Sequence, residues 1–196
     1  MNETSLSLLG RARRPDDAES WQRLVSLYTP LLKAWMRRSF LQDADVDDLV
    51  QEVLLTVSRE LPNFEHSGRP GAFRHWLRTV AVHRLQHHWR SRQQQPLARG
   101  ASSFLDELNQ LEDDASAASR EWNAEHDRHV VSQLLEQVRP RFQPQTWEAF
   151  RRQMLDGQRP DAVAAQMGIP IQAVYVARSR VLSALRREAE GLIDHV

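Results

Sequence analysis

The sequence predicts an all-α protein in which a flexible acidic linker joins two small helical domains. Apolar residues recur mostly at spacings of three and four, and runs of β-branched residues are short. Glycine and proline are sparse, at 7 and 9 of 196 residues, and no stretch alternates like a half-buried strand. A chain of this length suffices for two small domains. We predict a first domain over 1–92, a linker over 93–121 and a second domain over 122–196.

The N-terminal half predicts three long helices. Residues 17–40 carry an apolar stripe that includes Trp21 and Leu24, and Pro30 predicts a kink or break midway. A second helix opens with the acidic stretch 43–48, because carboxylates suit the positive end of a helix dipole, and Pro62 ends it. Two prolines and two glycines predict a loop over 62–72, and a helix over 73–92 follows.

The C-terminal half predicts a helix-turn-helix. Helices are expected over about 122–138 and 144–156. Pro160 then starts a short helix, the sequence Gly168-Ile169-Pro170 makes a tight turn, and a longer arginine-rich helix begins at Ile171. Many helical hairpins share such a turn, whereas fewer share a basic second helix, so the pattern favours DNA binding over a purely structural three-helix core.

Charge is sorted along the chain although the net charge is zero. No Asp or Glu occurs from His66 to Leu105, while residues 73–92 alone carry five arginines and four histidines. Eight acids follow between Ala101 and Asp127, against Arg120 alone. Such sorting indicates surfaces for charged partners, and a solvated helix face beside a linker is the alternative.

Several function classes find no support in the composition. The chain has no cysteine, which excludes disulfides, thiol nucleophiles and cysteine zinc sites. No serine lies in a recognisable catalytic setting, and no acid in the 73–92 helix could complete a metal site with His83 and His87. The start lacks a signal-peptide core, and no apolar run approaches the roughly 20 residues of a membrane span. We expect a cytoplasmic protein that is not an enzyme, needs no metal or cofactor and does not insert into membranes.

Two separated features coincide: DVDDLVQEVLLTV at 45–57, followed by a loop and FRHWLRTVAVHRLQHHWR, and the helix-turn-helix at the end. Together they resemble a bacterial RNA polymerase sigma factor of the extracytoplasmic-function class, which keeps only regions 2 and 4 of the sigma-70 family. The likeness covers about 17–92 and 125–190. It implies a protein that binds core RNA polymerase through its β′ clamp and β flap and directs promoter-specific initiation; an anti-sigma factor is a usual further partner of the class.

The resemblance also implies roles for particular residues. The surface that docks on the β′ clamp would comprise Asp48, Gln51 and Glu52. The helix 73–92 and the loop before it would read and open the −10 element, and the last helix would read the −35 element in the major groove. The implied −10 residues are Phe64, Arg74, Arg78, His83, Arg84 and Arg90, and the implied −35 residues are Gln172, Tyr175, Val176, Arg178, Ser179 and Arg180.

These roles give the acid-free segment a physical reason. A protein that stabilises separated strands needs cations for the phosphates and apolar faces for the bases, and carboxylates there would repel DNA. Trp76 and Trp89 are open to both base stacking and core packing. The linker acids, among them Asp106 and Glu112, fit either a path through the polymerase active-centre channel or a soluble tether.

The alternative reading is a helix-turn-helix transcriptional regulator that binds duplex DNA without polymerase. It explains residues 159–188 equally well. It leaves the acid-free helix and the acidic sequence DDLVQE without a role, and it predicts a dimer, whereas the sigma reading predicts a monomer that needs polymerase.

Overall fold

A computed structural model describes residues 7–39, 41–65, 71–92, 108, 110, 111, 113 and 115–193. All regular structure within these residues is helical, which confirms the predicted all-α class. In the part of the chain so described, no helix is both long and apolar enough to cross a bilayer. Residues 66–70 of the predicted loop and 93–107 of the predicted linker lie outside the described residues, and the division into domains stays a prediction.

The main helices of the described residues, in chain order, are α1 (Leu8–Ala12), α2 (Ala18–Met36), α3 (Asp43–Glu60), α4 (Ala72–Arg92), α5 (Ala117–Val138), α6 (Pro144–Met154), α7 (Pro160–Met167) and α8 (Ile171–Ala189), of which α1 is a single short turn. Three-residue 3-10 turns follow α2, α3 and α5, at Arg37–Ser39, Leu61–Asn63 and Arg139–Arg141.

Local chemistry accounts for where several helices begin and end. The Asp17 carboxylate accepts a hydrogen bond from the Ser20 amide at 2.9 Å, which caps α2, and the helix continues through Pro30 without a break. Ser116 caps α5 in the same way, so α5 begins at Ala117, inside the predicted linker. Gly168 ends α7 in the left-handed conformation, with φ at +63°, which favours glycine over residues that carry a Cβ.

One apolar core runs through both halves of the chain. Buried side chains of α2, α3 and α4, such as Leu27, Val53 and Leu85, belong to the same cluster as those of α5 and α8. Helix α5 contacts both α2 and α8. Besides Ser119, its buried side chains recur every fourth residue and form one stripe along the helix. They are Trp122, His126, Val130, Leu134 and Val138. A smaller core, formed by α6, α7 and α8 around Val163 and Val174, completes the C-terminal hairpin.

The short helix α1, which the sequence pattern did not predict, also joins the N-terminal helices to the C-terminal ones. Leu8, Leu9 and Ala12 are buried, and α1 packs on both α2 and α8. A Cβ at Gly191, just after α8, would come within 3.0 Å of Leu9, and φ at Gly191 is +82°. Glycine is therefore needed at this contact for both space and backbone conformation.

A buried carboxylate ties three elements to α8. Glu188 is 4% exposed and receives hydrogen bonds from Arg11 of α1 at 2.9 Å, Arg23 of α2 at 3.4 Å and Arg141 at 2.6 Å. Burial opposes ionisation of Glu188, but the hydrogen bonds from Arg141 and Arg11 outweigh it, so the pKa of this carboxyl lies below its ordinary value. The ionised form is the one the fold requires.

Replacing Glu188 with glutamine should destabilise the protein by about 2 kcal/mol, because three guanidinium groups lose a charged acceptor. The free energy of unfolding in urea measures this loss. Glu190→Gln is the matched control, since Glu190 is exposed just after the end of α8 and its substitution should change stability by less than about 0.5 kcal/mol. Equal values for the two variants would show that the cluster contributes nothing.

Candidate functional site

The structure exposes all three residues of the expected polymerase-docking surface on α3. Asp48, Gln51 and Glu52 lie on one side of the helix, opposite a buried stripe that includes Leu49 and Val53. Leu55 lies on the same side and is 55% exposed. An exposed leucine among acidic and amide side chains is suited to protein contact, because desolvating it favours binding while the polar neighbours orient the partner. We call Asp48, Gln51, Glu52 and Leu55 the α3 face.

Helix α8 presents the expected −35 residues together on its outer side. Gln172, Arg178, Ser179 and Arg180 are exposed, and Tyr175 and Val176 are 43% and 45% exposed. The inner side of α8 is held by buried Val174, Ala177 and Val181. Guanidinium, amide and apolar groups on one helix face can contact phosphates, base edges and thymine methyl groups.

Helix α4 divides its expected DNA residues between its two sides. His83 and Arg90 are exposed and Arg84 is half-buried, so they line an accessible side. Phe64, just before the 66–70 segment, is half-buried and stacks near Trp76, with ring centroids 5.0 Å apart. Trp89 is buried in the core. Within the described residues, no three His, Asp or Glu side chains are grouped so as to hold a metal ion.

Arg74 and Arg78 face the protein interior. Arg78 is 1% exposed and lies 2.9 Å from His75 Nδ1, on the same helix face as buried Ala81 and Leu85. The Arg74 side chain is 14% exposed, and its Nη1 lies 2.6 Å from both carboxylate oxygens of Asp127 on α5. In this conformation neither guanidinium is open to a phosphate, and their role in DNA binding stays a prediction.

A chain of hydrogen bonds extends from Arg74 into the core. Asp127 Oδ1 lies 3.0 Å from His126 Nδ1, and His126 Nε2 lies 3.1 Å from the Tyr28 hydroxyl on α2. These contacts fit a neutral imidazole that donates from Nδ1 to the carboxylate and accepts from the tyrosine. Burial lowers the pKa of His126, and the hydrogen bond to Asp127 offsets only part of this. Burial also raises the pKa of Tyr28, so both rings are neutral near pH 7.

Asp127 remains ionised beside these neutral rings. Its partial burial favours the protonated form, yet the hydrogen bonds with His126 and Arg74 outweigh burial and lower the pKa of the carboxyl. The pair of Arg74 and Asp127 is therefore a true ion pair near neutral pH. It joins α4 to α5 across 53 residues of sequence.

The sequence analysis missed Leu55, His126, Asp127 and Glu188. The periodicity of apolar residues could have indicated two of them, because His126 and Glu188 occupy positions of the buried stripes of α5 and α8. A polar residue at a stripe position is buried with its partners. Leu55 could have been found in the opposite way, because it is an apolar residue on the polar side of α3. Nothing local marks Asp127, because its partner is distant in sequence.

Because His126 is buried, we predict that the free energy of unfolding decreases as the pH is lowered. Because its pKa is lower in the folded chain than the ordinary 6.5, the unfolded chain binds more protons as pH falls through that value. The free energy of unfolding in urea should drop by about 1 kcal/mol between about pH 7.5 and pH 5.5. His126→Gln should flatten this dependence, whereas His83→Gln, at an exposed position on α4, should leave it unchanged. Parallel curves for all three proteins would assign the pH dependence elsewhere.

The N-terminal part of this chain is similar to known proteins. Residues 24–95, from within α2 to just past α4, match the family model of sigma-70 region 2. The RNA polymerase sigma factor HrpL of Pseudomonas syringae pv. syringae is 27% identical over 84 residues. That alignment covers 43% of this chain and 44% of HrpL, so the similarity spans less than half of either protein. Both findings are similarities of the N-terminal part of this chain to sigma factors.

Proposed function

We propose that this protein is a sigma factor of the extracytoplasmic-function class, which binds core RNA polymerase and directs initiation at specific promoters. The observation that carries the proposal is the match of residues 24–95 to sigma-70 region 2. Within that range lie the exposed α3 face and the acid-free helix α4, which are the two surfaces that polymerase docking and −10 recognition require.

The α3 face is the proposed docking surface for the β′ clamp of polymerase. In the proposal, Leu55 becomes buried in the complex and supplies apolar contact area, while Asp48 and Glu52 supply negative charge that selects a basic partner. The accessible side of α4, with His83, Arg84 and Arg90, follows the phosphates of the opened −10 element. Phe64 lies beside this helix and is the proposed aromatic contact for an unstacked base.

The outer side of α8 is the proposed reader of the −35 element. Its exposed arginines suit phosphates, and Tyr175 and Val176 suit apolar contact with base methyl groups. The two DNA-binding units would each bind weakly. Attachment to one polymerase fixes their spacing and raises the effective concentration of the second contact, so specificity arises from both together.

Gel filtration with bacterial core RNA polymerase tests the docking surface. The wild type should co-elute, while Glu52→Arg and Leu55→Asp should lose co-elution, since the first reverses a charge at the contact and the second places a charge where apolar area is buried. Glu60→Arg is the matched control, because Glu60 is exposed on α3 about a third of a turn away from the α3 face. It should co-elute like the wild type.

Failure of the wild type to co-elute would contradict the proposal. If the wild type instead bound duplex DNA alone and as a dimer, the protein would be a helix-turn-helix regulator. Loss of co-elution by Glu60→Arg together with the other variants would show that the interaction is disrupted by substitutions elsewhere on α3, and does not depend on the α3 face in particular.

Alanine at Arg178 or Arg180 should weaken promoter binding by the holoenzyme nearly equally at all sequences, because phosphate contacts carry no sequence information. Each variant should also reduce the slope of log K against log salt by about one. Fluorescence anisotropy on promoter duplexes at several salt concentrations measures both effects. Arg128→Ala, at an exposed position on α5, should alter neither. A sequence-dependent loss would instead assign the arginine to base contact.

A further inference from the structure

A cavity of about 700 Å³, open to solvent, lies where α1, Phe64 and the end of α8 meet. Small-molecule sites in proteins have volumes of roughly 300–1,000 Å³, so the cavity is large enough for a ligand of several rings or charged groups. Of the residues assigned above to polymerase or DNA contact, only Phe64 borders it. The proposed function therefore leaves most of this cavity without a role.

The floor of the cavity is apolar. Leu9 of α1, Ala189 at the end of α8 and Ile193 beyond it line the cavity, and all three side chains are otherwise buried. Phe64 is half-buried beside them, and its ring is supported by Trp76, with ring centroids 5.0 Å apart. A planar ring system could remove its faces from water by packing on this floor.

The rim of the cavity is mainly cationic. Arg13 at the end of α1 and Arg186 and Arg187 in the last turn of α8 line it, and the single carboxylate of the described lining is that of Glu190. Arg13 Nη2 donates to the Pro62 carbonyl oxygen at 3.3 Å, which uses one of its N–H groups and none of its charge. No carboxylate of the described residues forms an ion pair with Arg13 or Arg187.

The helix dipole alone does not explain these cations. Basic side chains in the last turn of a helix complement its negative end, which accounts for Arg186 and Arg187. It does not account for Arg13, which belongs to another element and is half-buried, so that it gives up part of its hydration at the same cavity. Guanidinium groups from two ends of the chain, placed around an apolar floor, form an arrangement suited to an anion with an apolar body.

The chemistry of the cavity narrows the class of ligand. Planar guanidinium groups match phosphate oxygens in a bidentate geometry, and more than one of them favours a ligand with several negative charges. The floor is short and open to solvent, which suits a ring system; a long acyl chain would require an enclosed apolar tunnel.

We propose that this cavity binds a nucleoside polyphosphate, whose base packs on the apolar floor beside Phe64 and whose phosphates are held by Arg13 and Arg187. The inference goes beyond the proposed sigma function and does not depend on it. It assigns the junction of α1 and α8 a binding role in addition to its role in packing.

Calorimetric titration of the full chain with ATP and with GTP, in buffer without divalent cations, tests the site. The wild type should bind, and Arg13→Ala and Arg187→Ala should each weaken binding by about tenfold, because each removes charge-assisted hydrogen bonds to phosphate. Arg14→Ala is the matched control. Arg14 is exposed, follows Arg13 directly and does not line the cavity, so the loss of its charge should change the affinity by less than about twofold.

Two further measurements guard against simple unfolding and against attraction of any polyanion. Glu190→Gln removes the carboxylate of the lining and should strengthen nucleotide binding by about threefold, a gain that a misfolded protein would not show. Inorganic triphosphate carries the phosphates without a ring system. It should bind about tenfold more weakly than ATP or GTP, because it buries no apolar area on the floor.

Four results would overturn the inference. The first is the absence of binding of either nucleotide to the wild type. The second is equal weakening by Arg14→Ala and the two cavity variants, and the third is an unchanged affinity of Glu190→Gln. The fourth is equal affinity for inorganic triphosphate and the nucleotides, which would leave the apolar floor without a part in binding. None of these titrations contains polymerase, so they are decided separately from the proposed sigma function.

Discussion

One face of α5 holds the two halves of this protein together. Side chains four residues apart, from Trp122 to Val138, place a single stripe against α2 on one side and α8 on the other. A four-residue repeat is slightly longer than the helical period of 3.6 residues, so each successive side chain lies about 40° further around the helix and can meet a different neighbour. This geometry lets one helix serve two helical units, and the position of the C-terminal hairpin relative to α2, α3 and α4 depends on it.

The stripe is not uniformly apolar, and its polar member has a structural consequence. His126 interrupts the hydrophobic series and requires partners on both ring nitrogens, which Tyr28 and Asp127 supply. An apolar residue there would pack without fixing rotation or register, whereas these hydrogen bonds are satisfied in one alignment of α5 on α2. Glu188 acts similarly where α8 meets α1 and α2, since three arginines converge on this single carboxylate. Polar groups thus specify how the apolar surfaces align.

Local pattern predicted the helices other than α1, and the surfaces that depend on one helix alone. The α3 face and the outer side of α8 follow from the phase of their own buried stripes, and Asp48, Glu52, Arg178 and Arg180 are exposed as that phase indicates. The same reasoning failed to locate Arg74 and Arg78 within the fold. Basic character indicates solvent on average, but a third of a turn on a helix separates exposure from burial, and the Arg74 environment depends on a carboxylate 53 residues away. Such distant pairings are fixed by tertiary packing, which a one-dimensional pattern does not contain.

The sorting of charge along the chain now has a three-dimensional counterpart. Helix α4 carries no carboxylate of its own, so within the helix nothing competes for its cations; an anion must come from another element or another molecule. Asp127 meets Arg74 from the acidic segment that follows in sequence, so the two oppositely charged segments are in contact in the fold. Asp127 neutralises one of the five arginines of α4, so the charge of Arg74 is balanced through the contact between α4 and α5, while His83 and Arg90 stay exposed on the other side of the helix.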